Sequence, residues 1–171
     1  MESIWAPWRM DYILGDKSET CIFCSKPGEE DSKANLVLYR GKLSMVMINK
    51  YPYSYGHLLV APSRHISGLE DLEVAEVNNL SLVLQKSIIV LKEAFQPHGF
   101  NVGLNQGKIA GAGIEEHLHF HVVPRWSGDI NFMPLLAETR VLPEHLDKTY
   151  DRLIPFFKAD SELYPKSHKT F

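Results

Sequence analysis

The chain predicts an α+β fold, an antiparallel sheet of about five strands with one long helix packed on it and a further helix near the C-terminal end. Three observations lead there. Short apolar runs separated by turn residues occupy positions 36 to 62. One sustained helical period follows, from 74 to 95, and two more strand-like runs come after it, joined by a glycine-rich loop. Strands, helix, strands, helix is the order of a sheet with its helix on one face. The 171 residues suffice for one full core, and no repeat or long linker divides them. A single domain over 1–171 is expected, with an N-terminal arm and Cys-x-x-Cys loop (1–35), a core (36–126) and a C-terminal extension (127–171).

The elements are justified in order. Residues 1–20 carry two tryptophans without a clear period and read as an irregular arm whose aromatics pack on the domain or on a second subunit. Residues 25–35, "SKPGEEDSKAN", are polar and contain Pro27 and Gly28, so a surface loop is expected. Strands are expected at 36–40, 43–49 and 57–62, with Gly41 and Lys42 forming a tight hairpin between the first two. Val74, Val77, Leu80, Leu84, Ile88, Leu91 and Phe95 are spaced 3, 3, 4, 4, 3 and 4, which is one face of a long helix. Ser67 and Glu70 have capping-box spacing at its start, and Pro97 and Gly99 stop it. Strands at 100–105 and 117–123 flank the loop "QGKIAGAGIEE", and a second helix is expected after Pro143, to about Phe157.

Hydrophobic residues make up 44% and charged residues 23%, with a net charge of -3. That composition is ordinary for a soluble domain and offers no basic surplus for nucleic acid. No uninterrupted apolar run approaches the ~20 residues of a membrane span. The first eleven residues hold tryptophans, acids and a proline where a secretory leader needs an apolar core. A cytoplasmic protein without nucleic-acid or membrane partners is therefore expected.

The stretch "HLHFHVVPRW" sets three of the eight histidines at alternate positions. On a strand His117, His119 and His121 share one face, spanning roughly 13 Å, while Leu118, Phe120 and Val122 pack beneath the helix. The histidine face is then the functional or solvent face. Three readings stay open: decoration of an exposed strand, a catalytic metal site completed by Glu115 or Glu116, and nucleophilic catalysis. In the last, a neutral imidazole aimed by a hydrogen bond on its other nitrogen attacks phosphorus, and flanking histidines donate to the phosphate oxygens. Cys21 and Cys24, the only cysteines, form Cys-x-x-Cys. The pair is half of a tetrahedral zinc site, or two buried thiols, or a redox motif, although the strands that follow are not thioredoxin-like.

"HLHFHVV" resembles the His-φ-His-φ-His-φ-φ signature of the histidine triad family of nucleotidyl hydrolases and transferases. "MINKYPYSYGHLLVAPSRHISGLEDL" and "NVGLNQGKIAG" resemble the family's N-terminal half-site and its phosphate loop. The resemblance covers about residues 36 to 126. It implies a dimeric HIT-like α+β fold and a covalent nucleotidyl-histidine intermediate on His119, with His121 assisting at the phosphate. It places Asn49 at the ribose, His57 in support of the triad, and Asn105 with Gly107, Gly111, Ala112 and Gly113 around the nucleotide phosphates. Without it, Asn49 and Asn105 read as turn residues. Zinc-bearing relatives imply that Cys21, Cys24, His65 and His117 hold a structural zinc, with no organic cofactor.

The sequence departs from the common family pattern where Ala112 and Gly113 replace a glutamine followed by a hydroxyl residue. The run from Asn105 to His117 is also one residue longer than is common. With "IWAPWRM" and "HVVPRWSGDINFM", these features resemble a bacterial branch containing diadenosine tetraphosphate phosphorylases, in which inorganic phosphate accepts the nucleotidyl group. An asymmetric dinucleoside polyphosphate hydrolase, an adenosine phosphoramidase and a non-catalytic nucleotide sensor are the alternatives.

Overall fold

The computed structural model describes residues 21–24, 33–129 and 143–158. The expected arm at 1–20, positions 25–32 of the polar loop, and positions 130–142 and 159–171 of the extension lie outside the described residues. Five strands, β1 (Val37–Arg40), β2 (Ser44–Ile48), β3 (Leu58–Pro62), β4 (Gly99–Leu104) and β5 (Phe120–Arg125), form one sheet in the order β1-β2-β3-β5-β4. Every neighbouring pair is antiparallel. Helix α1 (Val74–Phe95), which follows β3 in the chain, packs on β2, β3 and β5, and α2 (Leu146–Lys158) packs against β1 and α1.

β2 and β3 are buried at every position, and they read as near-continuous apolar runs because both faces are covered. Val46, Ile48, Leu58, Val60 and Val122 meet Leu80, Val83, Val90 and Leu91 of α1 and Tyr150, Leu153 and Phe157 of α2. The alternate residues Val37, Met45, Met47, Leu59 and Ala61 form a second cluster on the opposite face, centred on Phe23. His119 and His121 lie on this second face. It is therefore not a solvent face at the triad, since His117 and His119 are both buried.

Three expectations are corrected. The helix begins at Val74 rather than near Ser67. Glu73 is its N-cap, and Glu73 with Glu76 forms the capping box, while Leu69–Asp71 make a separate 3-10 turn. Glu76 is drawn in by Arg64, which contacts both of its carboxylate oxygens, at 3.0 and 2.6 Å. The buried face runs through Leu80, Val83, Ser87, Val90 and Leu91, and Val74 and Val77 are exposed. By length and composition α1 would pass as a membrane span, yet it lies along the sheet as the core helix.

The last strand starts at Phe120, not His117, and runs through Arg125. The register pairs Leu58 with Val122 and Val60 with Phe120, so Leu118 would fall opposite Pro62. Pro62 has no N–H to offer the Leu118 carbonyl in that pair, its own carbonyl lies 2.9 Å from His117 Nε2, and the Leu118 N–H bonds the Ile66 carbonyl, at 2.6 Å. The segment carrying His117 and His119 is thereby turned off the sheet and onto the 62–66 loop.

The loop between β2 and β3 is tied to α2. Glu144, just before α2, accepts bonds from the Tyr55 hydroxyl, from Arg152 Nη2 at 3.0 Å and from Thr149 Oγ1 at 3.3 Å. Burial and the adjoining Glu144 carboxylate both hold the Tyr55 phenol above its ordinary range. Glu144→Ala leaves the Tyr55 hydroxyl and Arg152 Nη2 without this acceptor, while Thr149 Oγ1 keeps the His145 carbonyl at 3.3 Å. We expect a loss of about 2 kcal/mol, read as a lower urea midpoint at unchanged slope. An unmoved midpoint would mean that Tyr55 and Arg152 find other partners.

Candidate functional site

The three alternating histidines do not converge on one point. Each ring has its own partners, and those partners fix which nitrogen is free. His117 is fully buried, and its Nε2 lies 2.9 Å from the Pro62 carbonyl. A carbonyl only accepts, so Nε2 carries the proton and Nδ1 presents a lone pair. That lone pair faces the sulfurs of Cys21 and Cys24, at 3.3 and 3.4 Å.

His119 is held in the opposite sense. Its Nδ1 is 2.8 Å from the backbone carbonyl of His117, so Nδ1–H donates and Nε2 is left unprotonated. Burial holds the imidazolium form down, against a raising effect of that same hydrogen bond. A neutral ring with a defined tautomer is what an attacking nitrogen requires.

His121 completes a chain of donors. The Tyr53 backbone N–H donates to His57 Nδ1 at 3.0 Å, with Asn49 Nδ2 at 3.3 Å from the same nitrogen. His57 Nε2 must then carry the proton, and it reaches His121 Nδ1 at 3.0 Å. His121 Nδ1 accepts, so its Nε2–H is the donor. The ring centroids of His119 and His121 are 5.0 Å apart. The site therefore sets a lone pair from His119 beside an N–H from His121, which suits attack on a phosphorus whose oxygens gain charge.

The second centre lies beside it. Cys21 Sγ, Cys24 Sγ, His65 Nδ1 and His117 Nδ1 all fall within 4.8 Å of one another. Cys24 Sγ is 3.1 Å from His65 Nδ1. A tetrahedral zinc bound to two sulfurs and two nitrogens requires S···N edges of about 3.5 Å. The donor set, the spacing and the second hydrogen bond on His117 Nε2 all fit such an ion. Glu115 and Glu116 are not part of this cluster. They are exposed and line an open pocket with His65, Ser67 and Asp71.

The glycine-rich loop stands where the sequence expects it. Gly107 and Gly111 have φ of 83° and 86°, and a Cβ at either would meet no atom, so backbone conformation rather than crowding calls for glycine. The Ala112 N–H bonds the Gly107 carbonyl at 3.3 Å, closing the turn, and Gly113 follows it, exposed. Asn105 lines an open pocket of about 250 Å³ with Tyr53, Asn101, Gly103 and His121. Asn49 sits near His57 and also caps the Tyr51 N–H at 2.9 Å, so its turn role and its proximity to the site coexist.

Sequence reasoning missed Gln106, Tyr53 and Phe23. Gln106 accepts the Leu69 N–H at 3.1 Å and donates to Glu70 at 2.9 Å, anchoring the loop to the segment after His65. Tyr53 stacks on His121 at 5.6 Å. Phe23, between the cysteines, packs on His117 and His119. Only the last had a signal, an aromatic residue inside an otherwise ligand-bearing turn. Arg125 forks onto Asp129 and reaches Asn101 at 2.8 Å, while Trp126 lies against Tyr55.

The comparisons with known proteins bear on the family and the fold. A family model described as HIT domain matches residues 30–128. An AP-4-A phosphorylase of Mycobacterium tuberculosis is 42% identical over 158 residues, covering 87% of this chain and 80% of that protein. An asymmetrical bis(5'-nucleosyl)-tetraphosphatase of Schizosaccharomyces pombe is 30% identical over 128 residues, covering 75% of this chain and 66% of that protein. Among solved structures, a zinc-bound histidine triad family protein from Mycobacterium smegmatis has a TM-score of 0.63 at 26% identity, over 84% of this chain and 96% of that one.

Proposed function

Because the chain belongs to the HIT-domain family, we propose that it cleaves dinucleoside polyphosphates by transferring a nucleotidyl group to His119 and then to inorganic phosphate. The observation that carries the reading is the His119 tautomer. With Nδ1–H committed to the His117 carbonyl, Nε2 is free to attack. On diadenosine tetraphosphate, Nε2 forms a bond to the terminal α-phosphorus, the bond from that phosphorus to its bridging oxygen breaks, and ATP leaves. His121 Nε2–H donates to a phosphate oxygen as charge builds there. A phosphate oxygen then attacks the same phosphorus, the N–P bond breaks, and ADP is released.

Asn49, His57, Asn105, Gly107, Gly111, Ala112 and Gly113 are the nucleotide-binding set on this reading, with His57 acting through His121. Phosphate rather than water as acceptor is supported by the 42% identity to a protein named AP-4-A phosphorylase. It is also supported by Ala112 and Gly113, which supply no side-chain hydroxyl to the loop. Zinc on Cys21, Cys24, His65 and His117 fills all four positions and makes a closed, structural site. The chain acts as one catalytic domain in the cytoplasm, as a homodimer. Among the described residues, β4 ends the sheet with Asn101, Val102 and Gly103 exposed, an edge a second copy would cover.

Product analysis tests the acceptor. With phosphate present, diadenosine tetraphosphate is expected to yield ADP and ATP in equal amounts, and omission of phosphate is expected to slow turnover at least tenfold. AMP and ATP at the same rate with or without phosphate would make the protein an asymmetric hydrolase instead.

A further inference from the structure

The Cys21–Cys24 turn does more than bring two sulfurs together. The Cys24 N–H closes it on the Cys21 carbonyl at 3.0 Å, and Arg40 Nη1 donates to the Phe23 carbonyl at 3.4 Å. Within the turn Ile22 points outward and is exposed, while Phe23 points inward and is 2% exposed. The Phe23 ring lies 4.9 Å from the His117 ring and 5.2 Å from the His119 ring, tilted to both. One side chain thus touches a ligand of the proposed metal centre and the nucleophile of the proposed reaction.

We propose that Phe23 is a positioning residue through which the Cys21–Cys24 turn, once pinned by metal, holds the His119 ring in its attacking orientation. The inference rests on the metal and nucleophile readings above and adds the link between them. His119 has one hydrogen bond that fixes its ring, from Nδ1 to the His117 carbonyl. A single bond leaves the imidazole able to swing about it. The edge of His121 bounds the ring at 5.0 Å, and Phe23 bounds it as well. Phe23 is itself wedged among Val37, Met45, Met47, Leu59 and Ala61. Its two chain neighbours in the ligand set, Cys21 and Cys24, fix its backbone when they bind an ion. Without an ion, the turn keeps the Cys24-to-Cys21 bond and the Arg40 contact. A displacement of the attacking nitrogen by about 1 Å costs about a hundredfold in rate, so the metal influences the chemistry without touching substrate.

The test compares Phe23→Leu and Phe23→Ala with wild-type protein in three measurements: bound zinc per chain, kcat and KM for diadenosine tetraphosphate with phosphate, and the nitrogen–proton correlation spectrum of the imidazoles. Phe23→Leu keeps an apolar plug and guards against a simple failure to fold. The expected result is wild-type zinc content in Phe23→Leu, KM within about twofold, kcat lowered about tenfold and lowered further in Phe23→Ala, and loss of the single Nδ1–H pattern of His119. Chelation of wild-type protein is expected to disturb the same His119 signals, and to add little in Phe23→Ala. Zinc-loaded Phe23→Leu and Phe23→Ala with wild-type kcat and an unchanged His119 pattern would overturn the proposal. So would a kcat that falls only in proportion to lost zinc. Absence of zinc from wild-type protein would remove the metal reading itself, and full turnover by His119→Ala would remove the nucleophile reading. These two failures are therefore separable from failure of the link.

Discussion

His119→Ala is expected to lower kcat for diadenosine tetraphosphate by 10⁴-fold or more, with the fold retained. Removing a nucleophile removes the covalent route altogether, and what remains is binding and electrostatic stabilisation. The size of the effect follows from the division of labour in the ladder. His121 Nδ1 accepts from His57 and its Nε2 carries the proton, so His121 cannot take over the attack. His117 Nε2 is bonded to Pro62 and its Nδ1 faces the cysteines. Among the described residues, no other imidazole beside His119 has a lone pair aimed at the same place. Stability should fall modestly, by about 1–3 kcal/mol, because the substitution opens a cavity beside Phe23 while the His117 carbonyl is 2.8 Å from only one ring nitrogen. A circular dichroism spectrum like wild type together with lost turnover is the expected pair of results. Labelled nucleotide should be trapped on wild-type protein after acid quench and not on His119→Ala. Turnover at the wild-type rate by the variant would end the covalent mechanism.

The same ladder shows where sequence reading succeeds and where it stops. Strict alternation in "HLHFHVV" placed His119 and His121 opposite Phe120 and Val122, because side-chain direction on an extended chain depends only on parity. The helix from 74 to 95 was visible because its apolar residues recur at the helical period over several turns. Which of those residues are buried was less visible. Val74 and Val77 belong to the period but are exposed, whereas Val83 and Val90, off the chosen stripe, are buried in the core where α1 packs on β2, β3 and β5. The start of α1 depended on Arg64 reaching Glu76 across the loop, a contact that local spacing cannot reveal. The end of the β5 ladder depended on a proline in another strand. For the site, residue types and their clustering pointed to phosphate chemistry and metal, and the family resemblance divided them into roles. The tautomers of His117 and His121 came from long-range partners, Pro62 and Tyr53 through His57, whereas that of His119 is set two residues away by the His117 carbonyl. Phe23, Tyr53 and Gln106 entered the same way, because their importance lies in what they touch.

Replacing Cys21 and Cys24 together by serine is expected to abolish zinc binding and to produce a large loss of stability. Serine keeps the size of the side chain and removes the thiolate, so two of four ligands vanish with little steric change. Their partners then face the wrong chemistry: His65 Nδ1 and His117 Nδ1 were set against sulfur at 3.1 to 3.4 Å. A ligand that binds only the folded chain stabilises it by about 4 kcal/mol when its free concentration is a thousand times its dissociation constant. That is the scale of the expected loss, enough to lower the melting temperature of a domain this size by roughly 10 °C or more. Wild-type protein should contain one zinc per chain and the double variant none. A strong chelator should bring wild-type protein down to the melting temperature of the variant and leave the variant where it is. That convergence separates loss of metal from damage done by the substitutions themselves. Turnover should fall in both, by less than in His119→Ala, because the ion holds the turn that carries Phe23 and does not itself meet the phosphate. If the double variant kept its zinc, or melted at the temperature of untreated wild-type protein, the four residues would not be a metal site. Their proximity would then be packing around Phe23 alone.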